Sequence, residues 1–156
     1  MHYEDAEKTK FDGQPAFVSG WGVISNCKPF NLITFYIFSQ SWLTFFTVSF
    51  YFIYKALSKD TLQYAIVKIV NEETCKKYFG DYVGPKNICQ SGDEVKGICP
   101  GDSGGPLASY GSDGKLVLIG VSSFISGQGC EAVAPRVATR VSAHMNWINY
   151  IVLNNK

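Results

Sequence analysis

The chain has 156 residues, enough for one ordinary domain with its own core, and a formal net charge of +1. A net charge so close to zero argues against a nucleic-acid-binding protein, because such a protein would need a clustered basic face. The five cysteines form no Cys-x-x-Cys pair and have no histidine at ligand spacing, so we expect neither a metal site nor a cofactor.

The two ends of the chain differ in character. The first ten residues, MHYEDAEKTK, are charged and polar, so the chain as given carries no secretory signal. Four cysteines nevertheless lie in Gly- and Ser-rich sequence of the C-terminal half, which favours disulfides and an oxidising compartment. A cysteine pattern typical of exported proteins, without an export signal, leads us to expect a missing N-terminal portion.

Residues 30–54 form an aromatic tract that contains no charged side chain and is flanked by Lys28 and Lys55. As a helix, the tract would be long enough to cross a bilayer core of roughly 30 Å. Its Phe, Tyr, Ile and Thr content favours strands equally well, so a buried hairpin is a second interpretation. An unspliced intron translated in frame is a third, because AT-rich codons encode this composition.

Outside the aromatic tract the sequence is typical of an all-β protein. Residues 62–70 and 115–124 are short segments rich in β-branched side chains, which predicts strands. The turn sequence at 111–114, GSDG, predicts that the second of these pairs with a preceding strand as a hairpin. Only the tail, residues 142–153, has a helical pattern, with His144, Ile148 and Val152 on one stripe.

Residues 99–107, CPGDSGGPL, place a serine among glycines. The sequence Gly101–Gly105 satisfies G-x-S-x-G, but the following Gly104, Gly105 and Pro106 are a poor start for the helix that an α/β-hydrolase elbow needs. Flanking glycines instead let the amides of Gly101 and Ser103 approach a substrate carbonyl oxygen. An oxyanion hole of this kind stabilises a transition state by roughly 3–4 kcal/mol per donor. The alternative is a glycine-rich surface turn with an incidental serine.

With its neighbours, this loop resembles the chymotrypsin/trypsin family of serine endopeptidases, in particular the insect digestive chymotrypsins. The matching segments are FVSGWG (17–22), TLQYAIVKIVNEETCKKYF (61–79), NIC (87–89), CPGDSGGPL (99–107), GVSSF (120–124) and RVSAHMNWI (140–148). The resemblance implies the C-terminal β-barrel of a double β-barrel, with its C-terminal α-helix. Residues 1–156 would then be a partial peptidase domain, and deleting residues 26–57 restores an ordinary family join, so we expect an insertion there.

The resemblance also implies roles for individual residues. Ser103 would be the nucleophile, with the amides of Gly101 and Ser103 as the oxyanion hole. Asp102 would pair with the N-terminus that zymogen cleavage frees. The implied disulfides are Cys75–Cys89 and Cys99–Cys130, and Cys27 has no family partner. A third family bridge is absent, because the chain has Ala16-Phe17-Val18 and Ala108-Ser109 where its cysteines would stand.

Further positions would form the substrate pocket. Ser123, Phe124 and Ile125 match the strand edge that pairs with the substrate backbone, and Ile125 replaces a usual glycine, which would narrow the pocket entrance. Gly97 stands where trypsin-like members carry Asp, so a preference for Lys or Arg is not expected. Arg136 follows a proline, as in the Asp-specific granzyme B, and could bind an acidic P1 side chain. The alternative is that Arg136 simply fills the pocket or points outward; either way, we expect a large aromatic or Leu side chain at P1 to be disfavoured.

The chain's two histidines are poor candidates for the general base that Ser103 needs. His2 stands at the polar N-terminus, and His144 falls in the C-terminal helix, which packs away from the cleft in the family. We therefore expect that the chain is a serine endopeptidase by family and that this chain alone is inactive. We also expect that the protein is secreted and that its partners are protein or peptide substrates and protease inhibitors. The alternative is a non-catalytic binding module, tethered to a membrane if residues 30–54 are a genuine transmembrane segment.

Overall fold

The fold is a closed six-stranded antiparallel β-barrel with one helix between its strands and one at its end. A computed structural model of the protein describes residues 11–24, 60–93 and 96–155. The strands are β1 (Pro15–Gly20), β2 (Gln63–Val70), β3 (Asn87–Gln90), β4 (Pro106–Tyr110), β5 (Leu116–Phe124) and β6 (Arg136–Arg140). The helices are α1 (Glu72–Phe79) and α2 (Met145–Asn154). The all-β class and the C-terminal helix are thus confirmed.

The barrel closes in the order β1-β2-β3-β6-β5-β4, with β4 returning to β1. Alternate side chains on each strand point inward, as the period of two in a strand requires. The core consists of Phe11, Ala16, Val18, Val67, Ile69, Ile88, Ile98, Leu107, Ile119 and Ala138. A closed barrel of this kind has no free strand edge in its closed part.

Both predicted strands and the predicted turn are confirmed. The strands run over Gln63–Val70 and Leu116–Phe124, within one residue of the predicted bounds. At the turn between β4 and β5, the Gly114 amide donates to the Gly111 carbonyl over 3.0 Å, and Gly114 has φ +74°. A left-handed φ of this size is accessible to glycine without strain, which is why the sequence signal was informative.

The prediction that only the tail is helical was wrong, because α1 is a second helix. Asn71 caps its start, with the side-chain Oδ1 accepting from the Thr74 amide at 2.9 Å. Glu72 and Glu73 in the first turn pair with Lys76 and Lys77 one turn later. Capping and i,i+4 ion pairs stabilise a short helix locally, and α1 is further held by the buried Cys75.

The tail is helical as predicted, in two parts. A 3₁₀ turn over Val141–His144 leads into α2. No helix in the described ranges is long and apolar enough to cross a membrane. The aromatic tract at 30–54 and the proposed insertion at 26–57 lie outside those ranges, so both stay predictions.

Both disulfides implied by the resemblance are present, Cys75–Cys89 and Cys99–Cys130. The first joins α1 to β3, and the second joins the serine-bearing loop to the segment before β6. Where the family's third bridge is missing, the buried Ser109 hydroxyl donates instead to the Pro15 carbonyl over 2.7 Å. A hydrogen bond therefore links β4 to β1 at this point.

Candidate active site

The serine-bearing loop lies between β3 and β4, and its tip is exposed to solvent. Gly101 and Gly104, on either side of the exposed Ser103, have φ of +99° and +83°. Because side chains other than glycine are strained at such angles, both glycines are needed for this turn. The loop is fixed to β5 by two hydrogen bonds of 2.9 Å, from the Gly104 amide to the Ser122 carbonyl and from the Ser122 amide to the Gly105 carbonyl.

The loop leaves two amides available next to the serine. In the described part of the chain, no backbone carbonyl accepts from the Gly101 or Ser103 amide, although the amides of Asp102, Gly104 and Gly105 all have such acceptors. Gly101 and Ser103 are both exposed. Two amide donors without backbone acceptors, separated by one residue, are the arrangement that an anionic oxygen beside Ser103 could use.

The half-buried Asp102 points away from the serine and anchors the loop from beneath. Its Oδ1 accepts from the Gly22 amide at 2.8 Å, and its Oδ2 accepts from the Cys99 amide at 2.9 Å. Hydrogen bonds to a carboxylate are stronger than bonds between neutral groups. Asp102 therefore links the serine loop to the segment that follows β1.

Two glycines of the SGWG motif make room for this carboxylate. A Cβ added to Gly22 would lie 2.6 Å from the Asp102 Oδ1, and one added to Gly20 would overlap the same atom. The sequence analysis did not predict that these glycines make room for the Asp102 carboxylate. The two glycines on either side of Trp21 are the sequence signal for such a close approach. A cavity of about 180 Å³ lies beside Asp102, with walls that include Val18, Gly97 and Ile98.

Replacing Asp102 with asparagine tests this anchor. We expect the free energy of unfolding to fall by about 2 kcal/mol, because one of two charge-assisted bonds is lost and the other is weakened. Urea unfolding of the two proteins measures the difference. The matched control is Asp113→Asn, in the exposed turn between β4 and β5, where the Asp113 side chain accepts from the Lys115 amide. An equal effect of the two substitutions would contradict the anchoring role.

Of the three residues predicted to pair with a substrate backbone, Ser123 and Phe124 end β5 and Ile125 follows it. Pairing with β4 extends only to Val121, and a bulge toward β6 falls between Ser122 and Phe124. Beyond Ser122, one edge of this segment has no strand partner in the described part of the chain. Ser123 is exposed, while Ile125 packs against the barrel core and Phe124 stacks edge-on against Phe79, with ring centroids 5.4 Å apart.

Arg136 is buried against Gly97. Its side chain is only 2% exposed, and a Cβ added to Gly97 would lie 2.8 Å from the Arg136 Cδ. The outward-pointing alternative is therefore wrong. The Nη1 donates to the Ser91 carbonyl at 3.0 Å and the Nη2 to the Cys130 carbonyl at 2.6 Å. Burial lowers the pKa of the guanidinium, but an arginine keeps its charge at neutral pH.

The structure does not bring His144 toward the serine loop. Strand β6 starts at Arg136 and ends at Arg140, about 13 Å further along at the rise of an extended strand. His144 follows beyond that far end, in the turn before α2. His2 lies outside the described residues.

Comparison with known proteins identifies relatives for this geometry. Residues 53–148 match the family model described as Trypsin. Over 99 residues the chain is 41% identical to chymotrypsin-like elastase family member 1 of Felis catus, covering 62% of this chain and 37% of that protein. Over 99 residues it is 40% identical to proproteinase E of Bos taurus, covering 62% of this chain and 39% of that protein. The chain thus spans a little over a third of the length of the curated relatives it matches.

Solved structures show the same fold. HL collagenase superposes with a TM-score of 0.65 at 28% identity, covering 94% of this chain and 49% of its own. Neuropsin, a serine protease of mouse brain, superposes with a TM-score of 0.63 at 24% identity, covering 90% of this chain and 49% of its own. Each of these chains is about twice the length of the superposed part.

Proposed function

This chain belongs to the trypsin family, and we propose that it carries the nucleophile and oxyanion hole of a serine endopeptidase. The observation that supports this most strongly is the anchored loop of Gly101–Gly105. Asp102 fixes the loop through the Gly22 and Cys99 amides, while Gly101 and Ser103 are exposed and their amides have no backbone acceptor in the described part of the chain.

The proposed reaction proceeds through an acyl-enzyme. The Ser103 Oγ attacks the carbonyl carbon of a peptide bond and loses its proton to a base, and the carbonyl oxygen becomes an anion. The Gly101 and Ser103 amides donate to that oxygen. The amine then leaves with a proton, and water hydrolyses the ester in a second step of the same kind. In the family's catalytic triad the base is a histidine oriented by an aspartate.

Because neither His2 nor His144 fits that role, we propose that this chain alone hydrolyses peptides poorly, and that full activity needs a histidine and an aspartate from another polypeptide segment. The sequence from residue 1 to residue 156 would be the C-terminal half of the peptidase domain. Secretion fits the two disulfides, which form in oxidising compartments.

The proposed substrates are proteins with a small P1 side chain. The P1 pocket would lie between Gly97 and the Ser123–Ile125 edge, and the Arg136 side chain occupies the space against Gly97. The Arg136 guanidinium is held by two backbone carbonyls, which favours pocket filling over recognition of an acidic P1 side chain. The elastase name of the relative in cat fits a shallow pocket. Inhibitors that present a substrate-like loop would use the same edge.

Labelling with a fluorophosphonate tests the proposed nucleophile. Attack on phosphorus places negative charge on an oxygen that the two amides can stabilise, so we expect Ser103 to react roughly 100-fold faster than the exposed Ser123. Mass spectrometry of the labelled chain measures both sites, and Ser103→Ala should remove the faster one. Ser123→Ala is the matched control and should leave Ser103 labelling unchanged.

Two outcomes would contradict the proposal in different ways. Equal labelling of Ser103 and Ser123 would mean that the loop provides no oxyanion hole, and the non-catalytic binding module would then be the better function. Labelling of Ser103 as fast as in a complete family protease would mean that this chain supplies its own base.

A further inference from the structure

Residues 99–102, with the sequence Cys-Pro-Gly-Asp, form a β-turn directly before the serine. The Asp102 amide donates to the Cys99 carbonyl at 3.0 Å, which closes the turn. Gly101, the third residue of the turn, has φ +99°. A type II turn has a φ of about +80° at this position, whereas a type I turn has a φ of about −90° there. The turn is therefore of type II.

The two turn types differ in the direction of one peptide group, the one between Pro100 and Gly101. Rotating this group by roughly 150–170° converts one type into the other and leaves both ends of the turn in place. Proline is favoured at the second position of both types, and glycine accepts either sign of φ at the third. The residues of the turn therefore do not by themselves determine which way the Gly101 amide points.

A hydrogen bond from a neighbouring segment determines this direction. The Val23 amide donates to the Pro100 carbonyl at 3.0 Å. Val23 is only 2% exposed, so this donor is held in place by the interior of the protein. The described residues contain no cis peptide bond, and in a trans peptide the carbonyl and the N–H point in opposite directions. Because the Pro100 carbonyl points toward Val23, the Gly101 N–H points away from it.

The residue before Val23 provides the second contact between these segments. The Gly22 amide donates to the Asp102 Oδ1 at 2.8 Å. Two consecutive amides after β1 thus hold the turn on both sides of Gly101. Rotation of the central peptide would leave Asp102 in place but would carry the Pro100 carbonyl away from Val23. Of the two contacts, the one made by Val23 therefore distinguishes the two turn types.

We propose that Val23 is a positioning residue of the oxyanion hole. Its amide holds the Pro100–Gly101 peptide so that the Gly101 N–H stays available to an anionic oxygen beside Ser103. In the type I orientation, the Pro100 carbonyl would replace that N–H and would repel the anion. This role rests on the proposed function, because the direction of the Gly101 amide affects reactivity only if an oxyanion forms there.

The experiment removes the donor with Val23→Pro and measures the turn and the reactivity separately. In a type II turn the Pro100 Hα lies close to the Gly101 amide proton and gives a strong nuclear Overhauser effect, which is weak in a type I turn. We expect Val23→Pro to weaken this signal and to lower the ratio of fluorophosphonate labelling at Ser103 to that at Ser123 roughly fivefold, as the loss of one hydrogen bond would.

Val23→Ala is the matched control, because it removes the buried side chain and keeps the amide. It should lower the stability but leave the Overhauser signal and the labelling ratio unchanged. A second variant replaces the Val23 amide nitrogen with an ester oxygen and is assembled by ligation at Cys27. It keeps the side chain, and we expect it to behave like Val23→Pro. Circular dichroism checks that each variant is folded.

The two readouts separate the failure of this proposal from the failure of the proposed function. Positioning by Val23 is overturned if the proline and ester variants retain the strong Overhauser signal, whatever their labelling. It is also overturned if Val23→Ala changes both readouts as much as they do. A signal that depends on the Val23 amide, together with equal labelling of Ser103 and Ser123 in the unaltered chain, would uphold the positioning and contradict the oxyanion hole.

Discussion

Replacing Arg136 with methionine lowers the free energy of unfolding by about 3 kcal/mol, because the carbonyls of Ser91 and Cys130 lose charged donors inside the protein. Methionine keeps most of the side-chain length, so the cavity contribution stays small. Relief from burying a charge offsets part of the loss, which keeps the expected value below the sum of two full hydrogen bonds. Chemical denaturation of both proteins under the same conditions measures the difference.

Arg140 offers a matched control on the same strand. Its Nε also contacts two carbonyls, those of Pro85 and Asn87, each at 3.1 Å, but the side chain is only half-buried. Arg140→Met should therefore cost about 1 kcal/mol, since water can replace the lost donor. Equal losses for the two substitutions would show that the burial of Arg136 against Gly97 adds nothing to the free energy of its hydrogen bonds. A gain in stability with Arg136→Met would show that desolvation of its charge outweighs both hydrogen bonds.

The Arg136 result also bears on the proposed pocket. The Arg136 guanidinium links the segment that follows β3, through the Ser91 carbonyl, to the segment that precedes β6, through the Cys130 carbonyl. If Arg136→Met lowers the stability as expected, the charge of Arg136 acts on the backbone carbonyls, and the shallow pocket follows from the volume of the Arg136 side chain. If methionine is tolerated without loss, the two hydrogen bonds of the guanidinium add little to stability, and an acidic P1 side chain becomes the better expectation.

Local signals in the sequence predicted those parts of the fold that local energetics determine. Within a few residues, β-branched side chains indicate the strands β2 and β5, and glycines indicate the turn at 111–114. The barrel architecture and both disulfides were predicted from the resemblance of short motifs to a known family. They could not be derived from spacing, because several cysteine pairings are compatible with the same sequence.

Of the features that the sequence did not predict, one is local and two depend on partners distant in the chain. Helix α1 was missed because its eight residues have a polar pattern, and the capping by Asn71 is a weaker signal than an apolar stripe. The contacts of Gly20 and Gly22 with Asp102 join positions about eighty residues apart. The direction of the Arg136 side chain was equally undetermined, because it depends on two carbonyls from separate loops.

The second large effect is expected from the disulfide that holds the serine loop. Cys99 and Cys130 are separated by 31 residues, and the chain-entropy model gives almost 4 kcal/mol for closing a loop of this length. The bridge also positions two hydrogen-bonding groups of the site: the Cys99 amide donates to Asp102, and the Cys130 carbonyl accepts from Arg136. Loss of the Cys99–Cys130 bridge should therefore alter the geometry of the serine loop as well as lower the free energy of unfolding.

The measurement compares Cys99→Ser/Cys130→Ser with Cys75→Ser/Cys89→Ser, both in a Cys27→Ser background that removes the remaining thiol. The second pair closes a loop with a separation of 14 residues and should contribute about 3 kcal/mol. Unfolding free energies alone will differ little, so the decisive readout is fluorophosphonate labelling of Ser103 relative to Ser123 under conditions where both variants are folded.

Loss of the preference for Ser103 in the Cys99/Cys130 variant alone would show that this bridge maintains the geometry of the oxyanion hole. Loss in both variants would assign the preference to the overall stability of the barrel, and retention in both would show that Asp102 anchors the loop without the bridge.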